Sequence, residues 1–212
     1  MKLYLSSQGF GNHLDRLQQM VGTDKRVLFI DNAKDYLSDA ERTAHVEEKR
    51  LEFEFAGFEF YELDLREYFR SPDKLKPIIS AAPFVWVSGG NTFILRRAME
   101  YSGFDALIRN ALAAGTVTYG GSSAGSIVLT PTLRGTEHGD DPFAVPDGYK
   151  TEVIWDGLGL VYTQLVPHYQ SSWFGKESAD MEHYFAEHNM DYVTLRDGEV
   201  YVVDGKYERK LV

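Results

Sequence analysis

Short, fully apolar runs alternate with helix-patterned segments over the first two thirds of this chain. The runs 3–5, 27–30 and 84–87 lack a polar face, and residues 38–55 carry apolar side chains at helical spacing. Strands that are apolar on both faces and are joined by helices fold into a mostly parallel sheet covered by those helices. The pattern therefore predicts an α/β fold with a mostly parallel central sheet flanked by helices on both faces.

Further elements follow along the chain. The sequence predicts strands over 58–63, 116–119 and 158–166, and helices over 92–114, with a break near Ser102-Gly103, and over 177–188. Two strand-like runs, 192–195 and 199–203, flank Asp197-Gly198, and Asp204-Gly205 leads into 206–212. Asp-Gly between such runs is a strong hairpin signal. We therefore expect a small antiparallel meander at the C-terminus of a single domain spanning residues 1–212.

A glycine-flanked serine follows one of these strands. Gly121-Ser-Ser-Ala-Gly125 has the pattern G-x-S-x-G, and Ser126 opens a short helical stretch that Pro131 limits. Strand, serine and helix in this order form a nucleophile elbow, in which the hydroxyl is exposed at a sharp turn and helix N–H groups face the same point. The alternative is an ordinary Gly-Ser-rich turn. We interpret Ser123 as a candidate nucleophile.

Polar or glycine-rich loops follow four of the predicted strands. They span 6–12, 31–32, 88–91 and 120–123. In a parallel sheet, such loops lie along the edge where ligands bind. Gly89, Gly90 and Asn91 have two interpretations: a turn with a helix cap, or a second set of backbone donors that faces Ser123 and the substrate.

A serine nucleophile needs a base, and that base needs an acid that orients it. Of the six histidines, His168 directly follows an apolar strand and a proline, which places it at the edge of the sheet. The polar loop before it contains Glu137, Asp140 and Asp141, so the order is serine, acid, histidine. The alternatives are a packing or capping histidine and a solvated acidic loop.

Four segments in order resemble the serine peptidase family of dipeptidase E and cyanophycinase. They are residues 84–93, which end in Gly-Gly-Asn-Thr-Phe, residues 119–125 with Ser-Ala-Gly, Pro131-Thr132 with the acidic loop after it, and 166–169 with Val-Pro-His-Tyr. The resemblance covers most of the chain. It implies a class I glutamine amidotransferase-like fold in which serine replaces the cysteine of that group, and the chain contains no cysteine.

The resemblance also implies roles for individual residues. Ser123 matches the nucleophile and His168 the base, and the N–H groups of Gly90 and Ala124 match the oxyanion hole. Asp140, two residues before Pro142, matches the acid. Asp141 and Glu137 remain alternatives, and Gly89 and Asn91 are expected beside the substrate. The implied activity is hydrolysis of short peptides, including those with an N-terminal aspartyl residue, through an acyl-enzyme.

Composition limits the partners of the chain. The net charge of −10 argues against nucleic acid and anionic membranes. No long apolar run and no metal-ligand cluster stand out, so we expect a cytoplasmic protein without metal or other cofactor, acting on a small peptide substrate. Assembly into a homo-oligomer stays open. Arg134 and Lys176 are the basic residues nearest the motifs, but no specificity residue carries over from the family.

Two other functions fit parts of the sequence. An esterase of the α/β-hydrolase kind would share the order serine, acid, histidine, but it would carry an oxyanion motif such as His-Gly-Gly before the elbow, and none is present. A catalytically silent binding protein could use the same fold, because fold does not determine function.

Overall fold

A seven-stranded sheet forms the centre of the protein, for which a computed structural model describes residues 1–212. The strands of the chain are β1 Lys2–Ser6, β2 Arg26–Ile30, β3 Glu59–Glu62, β4 Phe84–Val87, β5 Thr118–Ser122, β6 Gln164–Val166, β7 Tyr192–Thr194, β8 Val200–Asp204 and β9 Tyr207–Leu211. All except β6 and β7 belong to this sheet. The order in the sheet is β3-β2-β4-β5-β1-β8-β9. The first five of these strands are parallel to one another, whereas β8 is antiparallel to β1 and β9 is antiparallel to β8.

Seven helices accompany the strands. They are α1 Leu14–Val21, α2 Asp39–Phe55, α3 Pro72–Ala81, α4 Thr92–Ser102, α5 Phe104–Ala114, α6 Ala124–Ile127 and α7 Gly175–Glu187. The predicted start of α2 is confirmed, because Ser38 and Glu41 form a reciprocal capping box there. The predicted break at Ser102-Gly103 separates α4 from α5, where Gly103 adopts a left-handed conformation. Helices α1 and α3 were not predicted.

Both faces of the sheet are covered, as the apolar runs predict. Successive side chains of a strand point to opposite faces, and β1 shows the consequence. Leu3 and Leu5 pack in a core that includes residues of α3, α4 and α5, whereas Tyr4 packs in a second core with residues of α1 and α2. All three side chains are fully buried. The predicted α/β fold with helices on both faces is confirmed.

The C-terminal region pairs differently from the expectation. Strands β8 and β9 form the expected antiparallel group, but β8 also pairs with β1, and β7 pairs in parallel with β6 in a separate two-stranded sheet. The predicted hairpin of 192–195 with 199–203 is therefore wrong. Asp197 and Gly198 lie instead where the chain crosses from the small sheet to the large one, which brings Asp197 to the carboxyl end of β1.

The predicted strand 158–166 is also shorter than expected, since only Gln164–Val166 is a strand. The backbone of residues 158–161 instead makes hydrogen bonds to the segment 128–130 that follows α6.

None of the helices combines the length and the apolar character that a membrane-spanning helix needs.

Candidate active site

Ser123 lies at a sharp turn between β5 and α6. Its backbone angles are φ 50° and ψ −113°, a combination that L-residues other than glycine rarely adopt and that is strained for them. The turn is held by hydrogen bonds from Ser123 N to Ser6 O (3.1 Å) and from Ser126 N to Ser123 O (2.8 Å). The strain therefore persists because neighbouring segments fix the backbone on both sides.

The glycines of the motif are explained by close packing around this turn. A Cβ atom at Gly121 would lie 2.4 Å from Gly125 O, and one at Gly125 would lie 2.2 Å from Val87 O. Side chains at these two positions would push α6 away from β4 and β5. The two glycines thus let the backbone of α6 rest directly on the carboxyl ends of the strands.

The loop after β4 passes in front of Ser123. A Cβ atom at Gly89 would lie 3.0 Å from Ser123 Cβ, which shows how near the two backbones are. Gly90 has φ 145°, and a Cβ there would lie 2.5 Å from Ala33 O. Asn91 N donates to the same Ala33 O at 2.8 Å. The loop is therefore clamped between Ser123 on one side and the segment after β2 on the other.

Asn91 serves as a helix cap in this structure. Its Oδ1 accepts hydrogen bonds from Phe93 N at 2.9 Å and Ile94 N at 3.0 Å, and its Nδ2 donates to Asp141 O at 2.9 Å. These contacts stabilise the first turn of α4 and tie it to the acidic loop. Asn91 also lines a cavity beside Ser123, so the capping and the substrate-facing interpretations are compatible.

His168 follows β6 directly and is 4% exposed. Its backbone N–H donates to Ser7 Oγ at 2.8 Å, and its Nδ1 lies 2.7 Å from Asp197 Oδ1. Burial lowers the pKa of His168, and the hydrogen bond and charge of Asp197 oppose that shift. Nε2 is then the ring nitrogen left free for a reacting group.

Asp197 lies beside His168, and it was not among the acids that the sequence predicted for the site. Besides His168, its carboxylate accepts hydrogen bonds from Ser7 Oγ at 2.8 Å and from Trp173 Nε1 at 3.3 Å. The indole of Trp173 also lies against the imidazole, with ring centroids 4.4 Å apart. The Asp-Gly turn signal was the only local trace of this residue, and it indicated a hairpin rather than an acid.

Asp140, the acid that the resemblance selects, does not contact His168. Its Oδ2 accepts hydrogen bonds from Thr92 N at 2.8 Å and from Thr92 Oγ1 at 2.6 Å. Burial raises the pKa of Asp140 to about 6, and the two bonds from Thr92 oppose the shift. The carboxylate takes this position because the first turn of α4 offers free N–H groups to an acceptor.

The two alternative acids are also engaged elsewhere. Asp141 Oδ1 accepts a hydrogen bond from Phe143 N at 2.8 Å, and Glu137 Oε2 accepts one from Gly135 N at 2.5 Å. Both bonds are local turn contacts within the acidic loop. Neither residue therefore orients His168 in this structure.

Two cavities open beside Ser123, and both are lined by Ser123 and His168. The hydroxyl of Ser123 makes no direct hydrogen bond to His168, a separation that is common in the absence of substrate. The larger cavity, about 470 Å³, is lined by Asp140 and Asp141. The structure thus brings Ser123, His168 and the acidic loop together around the larger cavity.

The smaller cavity has a volume of about 230 Å³ and lies against the aromatic core of the α2 face. Its basic lining residues are Lys34, His45 and Lys49. The two basic residues nearest the sequence motifs lie elsewhere: the Arg134 guanidinium packs 4.8 Å from the Trp155 ring, and exposed Lys176 pairs with Asp180 at 2.9 Å. The cations of the site therefore come from the segment after β2 and from α2.

Comparison with known proteins agrees with these features. A family model described as Peptidase family S51 matches residues 4–210. An uncharacterized peptidase of Listeria innocua is 31% identical over 185 residues, which cover 83% of this chain and 83% of the relative. A Drosophila melanogaster protein named "Probable alpha-aspartyl dipeptidase" is 30% identical over 141 residues, or 64% of this chain and 55% of the relative.

A solved structure has the same fold. The crystal structure of a candidate peptidase E from Listeria monocytogenes EGD-e superposes with a TM-score of 0.80, covering 99% of this chain and 97% of the other, at 24% sequence identity.

Proposed function

This chain belongs to peptidase family S51 and is a serine-type peptidase, and from that premise we propose that it hydrolyses short peptides with Ser123 as nucleophile, His168 as general base and Asp197 as the acid. The observation that carries the proposal is the 2.7 Å contact between His168 Nδ1 and Asp197 Oδ1 in a cavity that Ser123 also lines. Base and orienting acid are the two parts a serine needs to become a nucleophile.

The proposed reaction proceeds through an acyl-enzyme. His168 donates Nδ1–H to Asp197, which leaves Nε2 unprotonated, and Nε2 takes the Ser123 proton as the hydroxyl oxygen attacks the peptide carbonyl. The N–H groups of Gly90 and Ala124, on either side of Ser123, donate to the oxyanion of the tetrahedral intermediate. His168 then returns the proton to the leaving amine. Water repeats the attack on the ester and releases Ser123.

The acid is the part of the proposal that departs from the sequence motif. Asp197 contacts His168, whereas Asp140 accepts two hydrogen bonds from Thr92 at the start of α4. A carboxylate stabilises an imidazolium only when it accepts the Nδ1–H. This geometry supports Asp197 for that role and a capping role for Asp140.

The proposed substrates are short peptides with an N-terminal aspartyl residue. The name of the Drosophila relative supports this class. The smaller cavity supports it as well, since the basic residues His45 and Lys49 line it and a volume of about 230 Å³ admits a small residue rather than a folded chain. A carboxylate is a favourable partner for such a lining because both are partly removed from water.

A panel of dipeptides, including Asp-X and Ala-X pairs, tests the proposal together with three variants. We expect cleavage of Asp-X by the wild type and none by Ser123→Ala. Asp197→Asn is expected to lower kcat by about 10³- to 10⁴-fold, by analogy with other triads. Asp140→Asn is the matched control and should lower kcat far less. A larger loss in Asp140→Asn than in Asp197→Asn would return the acid role to Asp140, and cleavage of p-nitrophenyl esters alone would indicate an esterase.

A further inference from the structure

The side chain of Lys34 ends at the backbone of the loop that faces Ser123. Lys34 Nζ donates a hydrogen bond to the carbonyl oxygen of Gly89. The residue closes a short 3-10 turn, Asn32–Lys34, directly after β2. No other lysine makes such a contact to this loop. Lys49 lines the same cavity, but its Nζ donates to Glu52.

The surroundings hold Lys34 in this position. Its side chain is 19% exposed, and Nζ lies 3.9 Å from Asp31 Oδ1. Asp31 also accepts the hydroxyl of Ser88, the residue before Gly89. Burial lowers the pKa of Lys34, and the carboxylate of Asp31 opposes that shift. A long side chain is thereby fixed against one carbonyl group rather than left free in the cavity.

The contact determines where the next N–H points. In a trans peptide group the carbonyl oxygen and the N–H lie in one plane and point in opposite directions across the C–N bond, and the chain has no cis peptide bonds. With Gly89 O directed at Lys34, the N–H of Gly90 is directed away from it. Gly90 N makes no hydrogen bond within the protein, and the loop lies against Ser123. The donor is therefore free to act on a group bound at Ser123.

We propose that Lys34 is a positioning residue of the oxyanion hole, which holds and polarises the Gly89–Gly90 peptide group so that the Gly90 N–H donates to the oxyanion. The inference rests on the proposed function, since it concerns the intermediate formed at Ser123. Lys34 acts through the peptide group and not by contact with the reacting atoms.

The physical reason is cooperative polarisation. A cationic donor on a carbonyl withdraws electron density from the amide, and linked hydrogen bonds strengthen one another by about 10–30% in condensed-phase estimates. The same contact also resists rotation of the peptide plane, to which glycine offers little barrier of its own. Removal of a whole oxyanion donor costs about 10²- to 10³-fold in rate. Loss of the support for one donor should cost less, about 10-fold.

Labelling of Ser123 by a neutral fluorophosphonate probe tests the inference, because the phosphoryl oxygen takes the place of the oxyanion and no carboxylate is present. We expect Lys34→Met to lower the second-order labelling rate about 10-fold, and Lys34→Arg, which keeps a charged donor, to recover part of the loss. Lys74→Met removes the charge of an exposed lysine on α3 that lines neither cavity, and should stay within about 2-fold of the wild type. Equal rates for Lys34→Met and the wild type would overturn the inference.

Dipeptide kinetics and NMR separate this inference from the proposed function. Lys34→Met should lower kcat for an uncharged dipeptide at unchanged KM, whereas a raised KM at unchanged kcat would make Lys34 a substrate-binding residue and overturn the inference. The amide resonance of Gly90 should shift in Lys34→Met and Lys34→Gln, and not in Lys74→Met, in protein whose circular dichroism is native. A wild type that neither hydrolyses peptides nor takes the label would refute the proposed function, while an unshifted Gly90 resonance would refute the role of Lys34.

Discussion

At the scale of single residues, the carboxylate of Asp197 is held from three directions. Ser7 Oγ and His168 Nδ1 bond to Oδ1, and Trp173 Nε1 bonds to Oδ2. Ser7 contributes twice, because its oxygen also accepts the backbone N–H of His168. One fully buried hydroxyl therefore links His168 to Asp197.

We expect Ser7→Ala to lower kcat about 10-fold and to destabilise the fold by about 1–3 kcal/mol, because it leaves the buried His168 N–H without an acceptor. Dipeptide hydrolysis and urea unfolding measure the two effects. The comparison variant is Trp173→Phe, which keeps an aromatic ring over His168 but loses a 3.3 Å bond at an exposed side chain. Its effect on kcat should be smaller. Unchanged kcat in Ser7→Ala would show that the link through Ser7 is dispensable.

At the scale of elements, backbone N–H groups at the N-terminus of α4 donate hydrogen bonds to two acceptor side chains. The Oδ1 of Asn91 satisfies the N–H groups of Phe93 and Ile94, and the carboxylate of Asp140 satisfies that of Thr92. An anionic group at a helix N-terminus is favoured by the helix dipole. Burial acts in the opposite direction on Asp140 and prevails, since the pKa of Asp140 is raised to about 6.

Thr92→Val should raise the pKa of Asp140 above about 6, because the Thr92 hydroxyl bonds to the ionised carboxylate and lowers its pKa in the wild type. Carboxyl ¹³C NMR across pH 4 to 8 follows the titration. Thr130→Val is the control, since the Thr130 hydroxyl donates to two backbone carbonyls and to no acid. A titration that moves to lower pH in Thr92→Val would contradict the assignment of this bond.

Local patterns predicted most elements, and failed where pairing is non-local. Apolar runs identified β1, β2 and β4, because strands buried on both faces need no polar positions. The Asp197-Gly198 turn signal was misleading, because a dipeptide specifies a turn and not the strands that pair across it. Strand β8 pairs with β1, which lies almost two hundred residues earlier, and no window of the sequence contains that contact.

At the scale of the whole molecule, two separate apolar cores carry the stability of the sheet. The larger includes residues of α3, α4 and α5, and the smaller, rich in aromatic rings, includes residues of α1 and α2. The candidate site lies at the sheet edge between them, so that neither core is interrupted by its polar groups.

Leu112→Ala should lower the free energy of unfolding by about 2–5 kcal/mol, because it leaves a cavity at a fully buried position of α5. Urea denaturation followed by tryptophan fluorescence measures the change. Leu51→Ala, on the outer surface of α2, is the matched control: this leucine is 61% exposed, and the change should stay within about 0.5 kcal/mol. Equal losses of unfolding free energy in both variants would contradict the view that the buried cores carry the stability of the sheet.

The candidate site was predictable in part. The glycine-flanked Ser123 and the proline-led His168 are local signals, and both residues lie in one cleft. Asp197, the proposed acid, and Lys34 had no such signal, because each contacts a group brought near only by the folded sheet. The family resemblance selected Asp140, whose carboxylate is held by Thr92 N–H at the start of α4.

The position of Asp197 has a consequence for biosynthesis. A ribosome adds about 5–20 residues per second and releases the N-terminal part first, so Ser123 emerges seconds before Asp197, which lies 74 residues later. In the folded protein Asp197 contacts His168 and lies just before β8, which pairs with β1. A nascent chain would thus carry the serine without its acid, and under the proposed chemistry it would remain inert towards the peptides around it until Asp197 has been synthesised and has folded against His168.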